Sequence, residues 1–380
     1  MELDLSPEQV LLRDSTGRYI ANTCPLTAVR AYATADSPYP FGYLRRAAEL
    51  GWFAMLVPDE LGGGSVSEDG LVDAAMLAEI RGAHVQPGSF VSMNVVAFAL
   101  ARNGSERHRK EVLPAIMTGE HVAVWALADP DLLWPTYGGV RGVATANGYR
   151  LDGVKEFVQD PDSADSFLVD AVIAGVPRQL LLNADALGVA VHPLESLDLS
   201  MRMGRLELDG VVVTEGDFVG TAKSARRDMD EQLAVAAVLC VAETVGVMCR
   251  LFDMTVQYAR DRIAFGRPIG SFQAVKHQLA DLSLLLEMSK AISEVATRTV
   301  AHDLRGGHTA RRGDSLASAA KAFVGDASNE ISQGCFQVFG GIGFTWEHDL
   351  HLYLRRASVN QVLYGTPTWH RERIVRLGRP

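Results

Sequence analysis

The sequence predicts an α+β chain in three parts: an N-terminal helical domain over residues 1–118, a central antiparallel β domain over 119–226 and a C-terminal four-helix bundle over 227–380. Apolar spacing is helical at both ends of the chain, changes to short alternating runs near residue 120, and returns to helical from Asp228. The 380 residues also exceed what one compact core usually holds, at roughly 100–200 residues per domain. No internal repeat or low-complexity linker interrupts this order.

The first helix opens at Ser6-Pro7-Glu8-Gln9. Ser6 suits the N-cap, Pro7 the first helical position, and Gln9 completes a capping box. Apolar residues follow at Val10, Leu11 and Ile20, and later at Leu44, Ala47 and Ala48. Pro58 and the Gly62-Gly63-Gly64 run mark a loop, and residues 72–80 and 91–101 read as further helices.

Strand-like runs occupy 121–127, 148–153, 166–173, 179–183, 188–193 and 205–213. Asp152-Gly153 and Asp209-Gly210 read as turns between them, and short strands at this spacing predict a small antiparallel domain. Three long helical segments follow at about 229–262, 272–305 and 313–338, with Arg305-Gly-Gly-His-Thr309 as a break. With a C-terminal helix these form an antiparallel bundle.

Hydrophobic content of 48% with 22% charged residues fits an ordinary soluble chain. With 36 basic and 46 acidic residues the net charge is −10, which argues against a nucleic-acid partner and leaves anionic small ligands to a few local arginines. Cys24, Cys240, Cys249 and Cys335 are scattered, so neither structural zinc nor a disulfide framework is expected, and no metal site is assigned. The N-terminus lacks a basic-then-apolar signal, and the most apolar run, 233–248, is interrupted by Glu243 and short of the ~20 residues that span a bilayer. The expectation is a cytoplasmic protein without a membrane span.

Two segments carry chemistry. Tyr258-Ala-Arg-Asp-Arg262-Ile-Ala-Phe265-Gly266-Arg-Pro-Ile-Gly270-Ser-Phe-Gln273-Ala-Val-Lys276-His277 reads as a helix end, a Gly-Arg-Pro loop and a new helix. Its Arg262 offers a planar fork of donors suited to a pyrophosphate. Gln337-Val-Phe-Gly340-Gly341-Ile-Gly343-Phe-Thr-Trp-Glu347-His348-Asp349-Leu350, continuing to Arg355-Arg356, ends a helix at a Gly-Gly pair that lets a ligand approach the backbone. Taken singly, each also has an ordinary reading, as a dipole-complementing arginine and a helix C-cap.

Together, and with the helix–strand–helix order and the opening Leu5-Ser-Pro-Glu-Gln9, they resemble the acyl-CoA dehydrogenase family over nearly the whole chain. The resemblance implies a flavoprotein, usually a tetramer built as a pair of dimers. Each FAD lies across a dimer interface, with its ring in one subunit and part of its ADP moiety held by the neighbour. By resemblance, Arg262 contacts the FAD pyrophosphate, Phe265 and Gln273 pack and hydrogen-bond near the adenosine half, and Gln337, Gly340 and Gly341 line the same ADP region. All six match the family pattern.

The ring side departs from it. Where the family carries Thr/Ser-Glu-Pro-x-x-Gly-Ser, this chain has Ala128-Asp129-Pro130-Asp131-Leu132-Leu133-Trp134. Where the family ends Gly-x-Lys-x-Trp/Phe-Ile/Val-Ser/Thr on a residue that bonds the flavin near N5, this chain has Gly153-Val-Lys155-Glu-Phe157-Val158-Gln159. The family reaction removes an α proton with a glutamate while the β hydride passes to the flavin. One position for that glutamate is Tyr364, in Leu363-Tyr364-Gly365-Thr366, and the other is Ala236, ten residues before Gly246. A phenol with a reference pKa near 10 is a poor base at neutral pH, and alanine is none.

Glu243 remains on that helix, seven residues beyond Ala236 and so roughly 10 Å further along, too far for the usual substrate pose. Its plain reading is a polar residue paired inside the bundle or at a subunit contact. His277, His348 and His370 are the other acid–base candidates, with His348 read as a packing residue. The catalytic residues are therefore unassigned.

Three readings follow. In the first, the chain is the non-catalytic subunit of a heterotetrameric (α2β2) acyl-CoA dehydrogenase that handles thioesters such as steroid side-chain CoA. A second dehydrogenase-like chain then brings the glutamate, and an electron-transfer flavoprotein-type acceptor takes the electrons. In the second it is an autonomous homomeric enzyme using Glu243. In the third it is a flavin-free structural relative.

Overall fold

The computed structural model describes residues 5–34, 42–130, 134, 138–306 and 311–378. Six helices come first: α1 (Pro7–Thr23), α2 (Leu26–Thr34), α3 (Tyr43–Ala48), α4 (Gly70–Ala83), α5 (Phe90–Asn103) and α6 (Leu113–Met117). The capping box at Ser6 forms: its hydroxyl accepts from the Gln9 amide at 3.2 Å, and Gln9 Oε1 accepts from the Ser6 amide at 3.0 Å.

The strands are β1 (Ala123–Ala126), β2 (Val140–Thr145), β3 (Gly148–Gln159), β4 (Ser166–Ile173), β5 (Val176–Asn183), β6 (Val189–Leu194), β7 (Met203–Val213) and β8 (Phe218–Val219). They make one sheet in the order β6-β7-β3-β2-β4-β5-β8, with β1 also on β4. The antiparallel expectation holds for most ladders, but β1 and β2 both run parallel to β4, so the sheet is mixed. Parallel neighbours need crossover connections rather than tight turns, and close spacing of strands in sequence does not reveal them.

The two Asp-Gly pairs are not turns. Asp152-Gly153 lies inside β3 and Asp209-Gly210 inside β7, and the register between the two strands shifts there. The Gly210 amide donates to Asp152 Oδ1 at 2.9 Å, so the pairs face each other across a β-bulge that keeps both strands going.

Alternation along β1 splits its side chains between two cores. Val124 and Ala126 join the apolar layer on one face of the sheet, with Val140, Leu151 and Phe167. Ala123, Trp125 and Leu127 join the main core shared with the helices. Trp125 is thereby aimed at the C-terminal helices.

That region holds α7 (Ala225–Asp261), a small hairpin β9 (Ile263–Ala264) and β10 (Arg267–Pro268), α8 (Gln273–Gly306), α9 (Arg311–Phe339), α10 (Leu350–Val362) and α11 (Pro367–Leu377). The C-terminal helix expected to complete the bundle is two helices, α10 and α11, both packed on α9. α8 runs through Gly306, and the rest of the break expected over 305–309 lies outside the described residues.

α7 is the central helix and touches α4, α5, α8, α9 and α10. It is longer than the apolar run in the sequence, and by length and composition alone could cross a membrane, but nearly all of that stretch is buried inside the chain. Its crossing with α4 is close. A β-carbon on Gly82 would sit 1.9 Å from the Glu243 carbonyl oxygen, and one on Gly246 would sit 1.9 Å from that of Glu79.

Candidate functional site

The six expected cofactor-side residues gather at one end of the helical region. Arg262 caps α7, its amide donating to the Tyr258 carbonyl at 2.9 Å. Tyr258 stacks on Phe339 at 4.3 Å between centroids, which brings the end of α7 against the end of α9, where Gln337, Gly340 and Gly341 lie. Gln273 starts α8 and is within 3.5 Å of His277. Arg262, Phe265, Gln273, Gln337, Gly340 and Gly341 are all exposed.

Phe265 and Gly266 form the two-residue turn between β9 and β10 with φ of 50° and 78°. Positive φ is costly for a bulky residue, and here it holds the phenyl ring 96% exposed beside Phe272. A β-carbon on Gly340 or Gly341 would meet nothing within 4 Å, so the chain's own packing does not demand their bareness. An exposed aromatic, an exposed guanidinium fork and open glycines together suit an anionic, aromatic ligand approaching from outside this chain.

The other half is closed. Gln159 and Tyr364, the residues standing at the flavin-bonding and base positions, touch each other: the Tyr364 hydroxyl donates to Gln159 Oε1 at 2.8 Å. Both are 5% exposed. Trp125 stacks on the phenol ring at 6.2 Å and 20°, and Trp134 leans on it at 6.5 Å. Gln159 Nε2 lies 3.2 Å from the Met201 sulfur. The indole N–H groups of both tryptophans find no acceptor among the described residues, the cost of packing them on a ring rather than a polar partner. Residues 131–133 and 135–137 of the neighbouring motif lie outside the described residues.

Backbone strain frames this contact. Phe157, Asp160 and Tyr364 have φ of 52°, 44° and 59°. Phe157 falls in a second irregularity of the β3–β7 ladder, between Lys155 and Val158, which re-aims the end of β3 and so Gln159. Tyr364 is held from behind. Lys321 Nζ donates to the carbonyls of Asn360 (2.8 Å), Gln361 (3.0 Å) and Gly365 (3.2 Å). His370 Nε2 lies 3.0 Å from the Tyr364 carbonyl, and burial keeps this imidazole neutral by pushing its pKa well below 6.5. Burial also drives the Tyr364 phenol well above 10, so it stays a hydrogen-bond donor and does not act as a base at neutral pH.

Neither remaining base candidate is free. Ala236 is fully buried and carries no acid. Glu243 Oε1 accepts from Arg356 Nη1 at 2.8 Å, and its Oε2 accepts from Asn360 Nδ2 at 3.3 Å. Arg356 Nε also pairs with Asp198, its Nη2 donates to Ser200 Oγ at 2.8 Å, and both terminal nitrogens reach the Gln86 carbonyl. Glu243 is thus the paired bundle residue that its spacing suggested. His348 packs edge-on against Phe339 at 4.8 Å, and its Nδ1 accepts from the Leu350 amide at 3.1 Å.

The two degraded β-domain motifs keep a structural link. Lys155 is buried between Asp129 (2.5 Å) and Asp170 (2.9 Å) and also donates to the Leu127 carbonyl at 3.3 Å. Burial raises the Asp170 carboxyl against the pull of Lys155. These motifs are therefore joined by an ion pair, while the hydroxyls expected by resemblance to face a ligand are absent from the sequence. Sequence reasoning missed Arg356, Asp198 and Lys321 as organisers of the site. Arg356 stood in a quoted Arg-Arg pair, but nothing in that pair says which arginine is buried.

The helices, the mixed sheet and the helical region built around a central α7 form the acyl-CoA dehydrogenase fold, that of a class of flavoprotein dehydrogenases. The models for the acyl-CoA dehydrogenase N-terminal and C-terminal domains match residues 6–120 and 226–377, and the chain belongs to the acyl-CoA dehydrogenase family. Its members are FAD-binding oxidoreductases acting on acyl-CoA. The chain is 29% identical to the acyl-CoA dehydrogenase IpdE2 of Mycolicibacterium smegmatis over 98% of both chains. It superposes on a chain of the ChsE4–ChsE5 complex from Mycobacterium tuberculosis with a TM-score of 0.87 and 26% identity, covering all of both. It superposes on the Tcur3481–Tcur3483 steroid ACAD with a TM-score of 0.85 and 26% identity over 97% of both.

Tested against FAD, the two halves of the site differ. The bundle end offers exposed groups suited to a pyrophosphate and an adenosine. The space between the sheet and the α10–α11 turn does not fit the flavin ring, because Gln159, Tyr364, Trp125 and Trp134 are packed together there.

Proposed function

We propose that this chain is the partner-dependent subunit of a heteromeric acyl-CoA dehydrogenase, completing an FAD site whose ring and catalytic glutamate belong to another dehydrogenase-like chain. One observation carries the reading. Six ADP-side residues stand exposed together at one end of the helical region, while no free carboxylate occupies either base position. In this arrangement Arg262 holds the pyrophosphate, Phe265 covers the adenosine half, Gln273 and Gln337 hydrogen-bond to it, and Gly340 and Gly341 admit it close to the backbone.

The chemistry supplied by the bound FAD is acceptance of the β hydride while the partner's glutamate removes the α proton. This chain's residues bind and orient, and none of them moves a proton. The likeness to the ChsE4–ChsE5 complex and to the Tcur3481–Tcur3483 steroid ACAD supports a two-chain assembly and a bulky, steroid-type acyl group. A heterotetramer passing electrons to an electron-transfer flavoprotein, in the cytoplasm, completes the reading.

Purification of the chain with and without the dehydrogenase-like chains encoded beside it tests the proposal. Flavin and acyl-CoA turnover appearing only in the mixed assembly support it. Turnover by the chain alone, abolished by Glu243→Gln, would instead establish the autonomous reading.

A further inference from the structure

We infer that Gln159 and Tyr364 form a built-in plug, which shuts this chain's own cleft to both a flavin ring and an acyl thioester. The inference rests on membership of the family and needs no partner chain.

The family chemistry requires two layers between the base position and the flavin-bonding position: the acyl chain and the ring. Each layer needs about 3.5–4 Å of van der Waals separation. Here the side chains at those two positions are in direct hydrogen-bonding contact at 2.8 Å. No layer fits between them. The space beside the contact is also taken, since Trp125 and Trp134 lie against the phenol and the Met201 sulfur lies under the Gln159 amide.

The backbone on both sides holds the two residues face to face. Tyr364 sits at φ 59°, with its turn pinned by three carbonyl contacts from Lys321 and its own carbonyl facing His370. Gln159 is delivered by a strand irregularity that holds Phe157 at φ 52°. Both halves of the plug are therefore set by backbone conformations that L residues adopt only at a cost. Lys321 donates to three carbonyl oxygens and His370 faces a fourth while packing edge-on against Trp369, which suits a role in fixing this turn.

The plug divides the labour of the molecule. With its own ring position occupied by its own side chains, the chain offers a flavin nucleotide only the exposed groups around Arg262 and Gln337.

The test is titration of the purified full-length chain with FAD, read by induced circular dichroism in the flavin band. FAD gripped only by its ADP end keeps the signal of free flavin, whereas burial of the ring induces a new one. The expected result is no induced signal for the native chain in excess FAD, and a clear one for the double variant Tyr364→Ala, Gln159→Ser. An induced signal from the native chain overturns the plug, as does silence from a folded double variant.

Should that variant fail to fold, a cycle of near-isosteric changes replaces it. Tyr364→Phe and Gln159→Met each break the same bond, so the double variant should lower Tm by clearly less than the two single shifts summed. Additive shifts would mean that the contact does not exist. Failure of the two-chain reading, with no flavin in any mixed assembly, leaves these single-chain results untouched. Ring burial by the native chain alone overturns the plug even where an assembly forms.

Discussion

The Arg356 guanidinium donates to Glu243 at 2.8 Å inside a pocket where the arginine side chain has no solvent exposure. It ties together three parts of the chain: the Gln86 carbonyl between α4 and α5, Asp198 and Ser200 before β7, and Glu243 on α7. Glu243, the acid on α7 weighed as a base, is instead a structural counter-ion.

Glu243→Gln should therefore leave turnover of the assembled enzyme almost unchanged, measured as kcat with saturating acyl-CoA. Were Glu243 the base, the same change would cost 10²–10⁴-fold. Arg356→Leu should lower stability by about 3–5 kcal/mol in denaturant unfolding, because it strands two buried carboxylates.

Arg262→Ala should weaken flavin retention in the assembled complex. A charge-assisted bond to phosphate contributes about 1.5–3 kcal/mol. Flavin remaining after gel filtration is the readout, and unchanged occupancy would remove Arg262 from the ADP side.

Asp160 gives a pH signature. It is buried with neither carboxylate oxygen hydrogen-bonded among the described residues, and burial pushes its pKa up to about 7 against the pull of Arg356, Arg202 and Arg81. An acid with a raised folded pKa is stabilising in its neutral form. That contribution is complete below the unfolded value near 3.9 and is lost as pH rises through 7. Asp160→Asn should therefore gain in Tm relative to the native chain as pH rises from 4 to 7, and the gap should level off above 7. Asp314, also raised to about 7 by burial, keeps its own slope in both proteins. A gap that is flat with pH would contradict the assignment.

Gly246→Ala tests the α4–α7 crossing. The new methyl would fall 1.9 Å from the Glu79 carbonyl oxygen, on backbone that cannot swing aside. Overpacking of this kind costs about 1–3 kcal/mol, readable as a fall in the urea midpoint.

The helices were legible because capping and 3.6-residue periodicity are local. The box at Ser6 and the three long segments all formed. β2 was missed because Gly142 interrupts its alternation. That glycine is required by packing, since a β-carbon there would sit 2.6 Å from Ile173. Asp152-Gly153 and Asp209-Gly210 looked like hairpin turns, but each pair is matched by the other across the sheet, a relationship no local window contains.

The candidate site was half legible. Arg262, Phe265 and Gln273 lie in one continuous segment whose residue types read as a candidate anion site, and Gln337, Gly340 and Gly341 lie in a second. Gln159 and Tyr364 each stood out as a departure from the family pattern. That they meet depends on β3 and the α10–α11 turn coming together from 205 positions apart in sequence. Arg356 and Lys321 were unreadable for a similar reason, as burial of a basic residue depends on partners from distant elements.

Flavin content measured on the chain purified alone, and again after co-expression with a dehydrogenase-like chain encoded beside it, tests the central claim most directly. The account predicts a colourless protein that takes up no flavin ring when FAD is added, and a yellow assembly that oxidises acyl-CoA once the second chain is present. A chain that is yellow and active alone, with one flavin bound to each copy, would contradict it.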